Sequence, residues 1–135
     1  MTNNTIISAK QIEKTYNTGK VIVNALKEVD LDVQQGEMVA IMGPSGCGKT
    51  TLLNTLSGLD QIDAGIIEID GQDLAQMKDK QRTAYRAANM GFVFQFYNLL
   101  PVLTAVENVE MPLLLDNSQR IKPKAARQMA LDALE

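Results

Sequence analysis

The sequence contains no histidine and no tryptophan, and a single cysteine, Cys47, among its 135 residues. Without histidine, the commonest acid–base side chain and most zinc sites are excluded within these residues. A lone cysteine excludes an internal disulfide and a cage built from cysteines alone. No apolar run approaches the roughly 20 residues that a membrane-spanning helix requires. The N-terminal residues also lack the regions of a signal peptide, so we expect a cytoplasmic protein.

The charge balance is slightly acidic. Lys and Arg number 13 against 16 for Asp and Glu, which gives a formal net charge of -3 at pH 7. A nucleic-acid-binding domain normally carries a basic patch or stripe. We therefore expect no nucleic-acid partner. The 45% hydrophobic and 21% charged residues are typical of one globular domain.

Apolar patterning predicts an alternation of strands and helices. The run 38–42 is continuously apolar, as in a buried parallel strand, and the helix that follows it is expected to place Leu52, Leu53 and Leu56 on one face. The predicted strands are 5–14, 21–23, 25–33, 38–42, 66–69 and 91–94, and the predicted helices are 49–57, 79–88, 104–115 and 124–135.

Local signals mark several element ends. Asp70 and Gly71 predict a tight turn, and Thr104 with Glu107 predicts a capping box at the start of a helix that Pro112 kinks or ends. The last amphipathic helix reaches Glu135 without a stop signal. We expect that the natural helix continues beyond this residue.

A glycine-rich loop matches the pattern G-x-x-x-x-G-K-[ST] without a gap. Its residues are Gly43, Pro44, Ser45, Gly46, Cys47, Gly48, Lys49 and Thr50. The glycines let backbone N–H groups converge on phosphate oxygens, and the following helix directs its positive end to the same place. Lys49 would contact the β- and γ-phosphates, and the Thr50 hydroxyl would bind Mg²⁺. The motif, with Thr51 beside it, predicts nucleotide binding, although kinases, GTPases, helicases and transport ATPases all share it.

Two single residues and one segment carry alternative interpretations. Tyr16 could stack on adenine or shield the edge of the core. Gln95, at the end of a predicted strand, could reach Mg²⁺ and the attacking water or simply bond backbone. The aromatic and apolar residues 96–101 lie in a predicted surface loop, where they would form a partner site or be buried under the next helix.

Together these features resemble the ATP-binding domain of ABC transporters over essentially all 135 residues. The resemblance implies that Tyr16 is the adenine-stacking aromatic, that residues 43–50 are the Walker A motif, and that Gln95 begins the Q-loop. Residues 57–60, 70–74 and 91–101 are most similar to the lipoprotein-release and macrolide-export branch. Cell-division ABC ATPases are close relatives.

The implied fold is an α/β P-loop NTPase of the ABC ATPase type. An N-terminal antiparallel β-subdomain and the P-loop core would occupy about residues 1–95, and the start of a helical subdomain about 96–135. The family's signature motif, Walker B acidic pair and switch histidine are not found among the 135 residues. We therefore expect no catalytic residue here, an incomplete sheet, and no hydrolysis by these residues alone.

For the complete protein the resemblance implies an ATPase that binds ATP and Mg²⁺ and drives a membrane partner. It would act as a homodimer on the cytoplasmic face of the inner membrane, and contact transmembrane permease subunits through the region from Gln95 to Pro101. The alternatives are a soluble or cell-division ABC ATPase, a nucleotide-binding fragment without hydrolysis, and a P-loop kinase or GTPase.

Overall fold

The computed structural model describes residues 4–115 and 121–135, and the chain divides into two compact units, Met1–Met90 and Gly91–Glu135. Within the described residues, no helix is long and apolar enough to cross a membrane. The elements of the first unit are the strands β1 (Thr5–Asn17), β2 (Ile22–Gln34), β3 (Ala64–Ile69) and β4 (Gln72–Asp73), the helices α1 (Lys49–Leu56) and α2 (Asp79–Asn89), and a 3-10 turn at Leu74–Gln76. The second unit contains α3 (Ala105–Leu115) and α4 (Pro123–Asp132).

The four strands form one antiparallel sheet in the order β2-β1-β3-β4. This confirms the antiparallel β-subdomain that the resemblance implied. The predicted strands 21–23 and 25–33 are one continuous strand, β2, which returns from β1 after a turn at Gly19 with a φ of 78°. Asp70 and Gly71, with φ values of 50° and 71°, make the predicted turn between β3 and β4.

The central strand β1 contains a β-bulge. Ala9 pairs with Leu31 and Ile12 with Val29, so β1 has one residue more than β2 between these two pairs. Gln11, with a φ of 53°, lies within the bulge. Such an insertion shifts the alternation of side chains by one residue along the rest of the strand.

Burial along β1 follows this shift. Before the bulge Ala9 is buried, and after it the buried residues are Ile12 and Lys14. The Gln11 N–H donates to Oδ1 of Asp30 at 2.7 Å, which satisfies a backbone group that the bulge takes out of the strand ladder. The buried residues of β1 therefore change from an odd-numbered position before the bulge to even-numbered positions after it.

Gly65 of β3 packs directly against the bulge. Its φ is +97°, and a Cβ there would lie 2.6 Å from the carbonyl oxygen of Lys10 and also against that of Gln11. Both the backbone conformation and the space require glycine at this position.

The core of the first unit lies between the sheet, α1 and the 3-10 turn. Its buried residues are Ala9, Ile12, Leu26, Leu52, Leu56, Ile67, Ile69 and Leu74. Leu52 and Leu56 are four residues apart and therefore share one helix face. The prediction that Leu53 belongs to that face is wrong: Leu53 is 55% exposed, because one residue along a helix rotates the side chain by about 100°.

Two predicted strands are wrong. Residues 38–42 and 91–94 have no strand structure, and Met38 is 97% exposed, Met42 88% and Val93 103%. Backbone hydrogen bonds from a neighbour make a segment a strand, and among the described residues no strand pairs with either run. Apolar composition indicates that a segment suits a sheet interior but does not identify its partners. The sheet is accordingly incomplete, as expected.

The second unit begins its first helix at the predicted capping box. The Thr104 N–H donates to Oε2 of Glu107 at 2.8 Å, and the Glu107 N–H donates to the Thr104 hydroxyl at 3.3 Å. Hydrogen bonds from the Thr104 backbone and then its hydroxyl hold the pKa of Glu107 below its usual value. The helix α3 contains Pro112 and continues past it.

The helix α4 packs on α3. Pro123 occupies its first turn, and Ala126 and Ala130 are buried. An ion pair joins Arg127 to Glu110 at 3.1 Å. The helix ends at Asp132 instead of continuing to the predicted residue 135.

Candidate functional site

A groove of about 670 Å³ lies between the end of β1, the start of β2 and the loop before α1. Its size falls in the range of small-molecule sites, roughly 300–1,000 Å³. Tyr16 and every predicted site residue from Ser45 to Thr51 line it, together with residues 23–25 of β2. The structure thus brings the predicted aromatic and the predicted P-loop, which are distant in sequence, to one groove.

Two glycines give the P-loop its path. Gly46 and Gly48 have φ values of +81° and +93°, a region that favours glycine. A Cβ on Gly48 would lie 2.7 Å from the carbonyl oxygen of Ala25, whereas a Cβ on Gly46 would meet nothing within 4 Å. Gly48 therefore lets the loop approach β2 closely, and Gly46 serves the backbone turn alone.

The Lys49 side chain folds back over the loop. Its ammonium donates to the carbonyl oxygens of Gly43 at 2.8 Å and Pro44 at 2.7 Å, and lies 3.5 Å from Sγ of Cys47. Two of these partners are backbone carbonyl oxygens and none is a carboxylate, so no carboxylate among these contacts balances the lysine charge. An anion entering the loop would supply the opposite charge.

The start of α1 adds partial positive charge at the same place. The Leu52 N–H donates to the Gly48 carbonyl at 2.8 Å, closing the first helical turn. The N–H groups of Lys49, Thr50 and Thr51 precede this bond and belong to the turn that has no intrahelical acceptor. Together with the helix dipole they favour a bound anion.

The Thr50 hydroxyl is the candidate cation ligand in this groove. Among the residues that the structure describes, no group of three or more histidine, cysteine, aspartate or glutamate residues could hold a metal ion. The Thr50 hydroxyl lines the groove, which fits the usual arrangement in which Mg²⁺ is held by few protein oxygens and by substrate phosphates. Gln95 lies in a turn of the second unit and is exposed, and its role as a metal ligand stays a prediction.

Tyr16 lies near the end of β1, where it is 36% exposed. Its hydroxyl donates to Oδ2 of Asp60 at 2.7 Å, and the Lys14 ammonium lies 5.1 Å from the ring centroid. The Asp60 hydrogen bond is the main reason that the pKa of Tyr16 is raised and that the pKa of Asp60 is lowered. Tyr16 lines the groove and is absent from the buried core cluster among the described residues, and its role in stacking on adenine stays a prediction.

Sequence reasoning missed the two residues that hold this ring. Lys14 and Tyr16 are two apart in a strand and therefore project on one face, which was an available signal. Asp60 lies 44 residues from Tyr16 in sequence, and no local pattern connects the two.

The segment 95–101, the second predicted functional region, is exposed. Phe96 is 79% exposed, Tyr97 82% and Leu99 64%. The Asn108 side chain holds the end of the segment to α3: it accepts the Leu100 N–H at 2.8 Å and donates to the Leu100 carbonyl at 3.2 Å. Of the two predicted alternatives, a surface segment describes these residues and burial under α3 does not.

Comparison with known proteins places these features in one family. A family model described as ABC transporter matches residues 26–135. The lipoprotein-releasing system ATP-binding protein LolD of Xylella fastidiosa (strain Temecula1) is 43% identical over 130 residues, which are 96% of this chain and 54% of that protein. LolD of Coxiella burnetii is 44% identical over 135 residues, 100% of this chain and 57% of that protein.

A solved structure gives the same result for the fold. The dimeric structure of a post-hydrolysis state of the ATP-binding cassette MJ0796 bound to ADP and Pi matches with a TM-score of 0.86 and 42% sequence identity. The match covers 95% of this chain and 55% of that one. The chain therefore spans about half the length of the relatives that it matches.

Proposed function

The chain belongs to the ABC transporter family, and from this premise we propose that it forms the nucleotide-binding part of an ABC transporter ATPase. The observation that carries the proposal is the Lys49 ammonium, held by the Gly43 and Pro44 carbonyls at 2.8 and 2.7 Å within the glycine loop that opens α1. This geometry offers a positive charge and a helix N-terminus to a phosphate chain.

Each predicted site residue then has a role. The backbone of Gly43, Pro44, Ser45, Gly46, Cys47 and Gly48 would surround the phosphates, with Lys49, Thr50 and Thr51 at the helix start. Tyr16 would stack on the adenine, and Thr50 and Gln95 would contribute oxygens to Mg²⁺. The Mg²⁺ ion neutralises charge that develops on the phosphates during phosphoryl transfer.

We propose that residues 1–135 are a partial nucleotide-binding domain. The β-subdomain and P-loop core would extend over about 1–95 and the start of the helical subdomain over about 96–135. The division into compact units between Met90 and Gly91 lies near this boundary and supports it.

For the complete protein we propose ATP hydrolysis coupled to a membrane permease. The LolD relatives are components of lipoprotein-releasing systems, which supports that branch of exporters. The cassette MJ0796 is dimeric in its solved structure, which supports a homodimer. The complete protein would act on the cytoplasmic face of the inner membrane.

Labelling of Cys47 by a thiol reagent should be slowed by Mg-ATP. The Cys47 side chain is exposed and its sulfur lies beside Lys49 in the P-loop, so phosphates in the loop would cover it. We expect saturating Mg-ATP to reduce the labelling rate about tenfold or more, corresponding to about 1.4 kcal/mol or more of protection. The measurement is mass spectrometry of the Cys47 peptide from the full-length protein over time.

AMP is the matched control, because it lacks the β- and γ-phosphates that Lys49 would contact. AMP should protect Cys47 weakly at the same concentration. Equal labelling rates with and without Mg-ATP would contradict nucleotide binding in this loop.

Leu99→Asp should weaken the complex with the permease while leaving ATP affinity unchanged. Leu99 is 64% exposed in the 95–101 segment, and a charge placed in an apolar contact there would have to be desolvated, at a cost of about 2 kcal/mol or more. Co-purification of the full-length protein with its permease measures the effect. Leu131→Asp places the same charge on the exposed side of α4 as a control, and normal complex formation by Leu99→Asp would refute the assignment.

A further inference from the structure

We propose that Lys14 and Asp60 are positioning residues that hold the Tyr16 ring in place as a platform for the nucleotide base. The inference rests on the proposed nucleotide site and names the residues that prepare its base-binding end. It follows from a cluster in which the Tyr16 hydroxyl and one face of its ring are both engaged.

The ring needs such support because of where it lies. Tyr16 is 36% exposed, one residue before the end of β1. An exposed side chain at a strand end distributes over staggered rotamers, of which about three are available at χ1. Only an orientation that presents the ring to the groove would stack on a base.

Two contacts restrict the ring to one orientation. The hydroxyl donates to Oδ2 of Asp60 at 2.7 Å. From the same strand face, the Lys14 ammonium lies over the ring at 5.1 Å from its centroid, within the distance of a cation–π contact. A hydrogen bond at the tip and a cation over one face together fix both the direction and the tilt of the ring.

Lys14 is itself fixed. It is buried, at 9% exposure, and its ammonium donates to Oδ1 of Asp60 at 3.0 Å and to the Gln61 carbonyl at 2.6 Å. A buried ammonium requires an anion and hydrogen-bond acceptors beside it. Asp60 therefore uses one carboxylate oxygen for Lys14 and the other for Tyr16, and links the two.

Asp60 is anchored to the helix that follows the P-loop. Its N–H donates to the Asn54 carbonyl of α1 at 3.0 Å, and its Oδ1 accepts the Gln61 N–H at 2.8 Å. Since α1 begins at Lys49, the position of the ring is tied to the same helix that would hold the phosphates. The base platform and the phosphate loop are thus connected through α1.

This arrangement also limits what Tyr16 can recognise. Its hydroxyl proton is already donated to Asp60 and one ring face is covered by Lys14, so the remaining face offers stacking alone. Stacking is tolerant of base identity because every base has a π-face. Stacking on Tyr16 should therefore strengthen the binding of ATP and of GTP to similar extents, relative to a triphosphate that has no base.

The test compares ATP with inorganic tripolyphosphate, each with Mg²⁺, in equilibrium binding to the full-length protein. Asp60→Ala should weaken ATP binding about 3- to 10-fold, because about a third or less of the molecules would then present the ring correctly. Tripolyphosphate affinity should not change. Tyr16→Phe removes the hydroxyl bond but keeps Lys14 paired with Asp60, so it should weaken ATP binding to an equal or smaller extent, and adding Asp60→Ala to it should cost less than Asp60→Ala costs alone, because the hydroxyl bond is already lost.

Asp60→Asn keeps an acceptor for the hydroxyl and should restore part of the ATP affinity. Asp63→Ala is the matched control, since the Asp63 carboxylate accepts the Thr15 N–H at 2.6 Å and so joins the same two segments through backbone. It should leave the ratio of ATP to tripolyphosphate affinity unchanged.

The outcomes separate the two proposals. Equal losses for ATP and tripolyphosphate in Asp60→Ala, unchanged ATP affinity, or additive effects with Tyr16→Phe would overturn the positioning role. Failure of the unmodified protein to bind either compound would instead overturn the proposed nucleotide site.

Discussion

Lys49→Ala is expected to weaken binding of both Mg-ATP and Mg-tripolyphosphate about 100-fold or more, corresponding to about 3 kcal/mol or more. The lysine is the positive side chain within the P-loop, and its ammonium lies between the Gly43 and Pro44 carbonyls. The substitution removes a charge-assisted contact to phosphate without touching the buried core cluster. Isothermal titration of the full-length protein measures both affinities.

Lys80→Ala is the control, because it removes a lysine charge from an exposed position on α2, outside the groove. It should leave both affinities unchanged. Thermal unfolding of Lys49→Ala without nucleotide should resemble that of the unmodified protein. An ATP affinity that survives the loss of Lys49 would remove the main support for the nucleotide site.

Gly65→Ala should be the most damaging small substitution in the sheet. Its Cβ would lie 2.6 Å from the Lys10 carbonyl oxygen, in contact also with that of Gln11, at a φ of +97°. Backbone strain and overpacking each cost about 1–3 kcal/mol, so the free energy of unfolding should fall by about 2–6 kcal/mol. Chemical denaturation monitored by circular dichroism tests this expectation.

Gly71→Ala separates the effect of backbone strain from that of overpacking. Its φ is +71°, close to the left-handed region, but a Cβ there would meet nothing within 4 Å. It should cost only the conformational penalty, about 1–2 kcal/mol. Equal destabilisation by the two substitutions would show that the close packing of β3 on the bulge is energetically unimportant.

The structural features that the sequence predicted correctly are those formed by residues close to one another in the chain. The capping box of Thr104 and Glu107 spans only four residues, and the structure contains both of its hydrogen bonds. The P-loop motif is contiguous, so its glycines and Lys49 could be assigned together. The same locality explains why α1 starts where the motif predicts.

The parts that sequence missed depend on distant neighbours. Residues 38–42 have the composition of a buried strand, yet Met38 is 97% exposed, because a strand forms only where another strand pairs with it. The bond between Tyr16 and Asp60 joins residues 44 apart. Neither the pairing of residues 38–42 nor the Tyr16–Asp60 hydrogen bond can be predicted from periodicity or from a short motif. Both depend on residues that are distant in sequence.

Because of the bulge at Gln11, the side of β1 on which Tyr16 lies depends on the number of residues in the strand as well as on their identities. From Ala9 a regular strand would bring residues 11, 13 and 15 to the buried face, but the extra residue brings Ile12 and Lys14 there instead, and Tyr16 follows Lys14 on the same side of β1. A one-codon deletion at this point would leave every motif intact while turning the Lys14 and Tyr16 side chains to the opposite face. Among related sequences, a gap between Ala9 and Tyr16 would therefore indicate a changed base pocket even where the aromatic residue itself is retained.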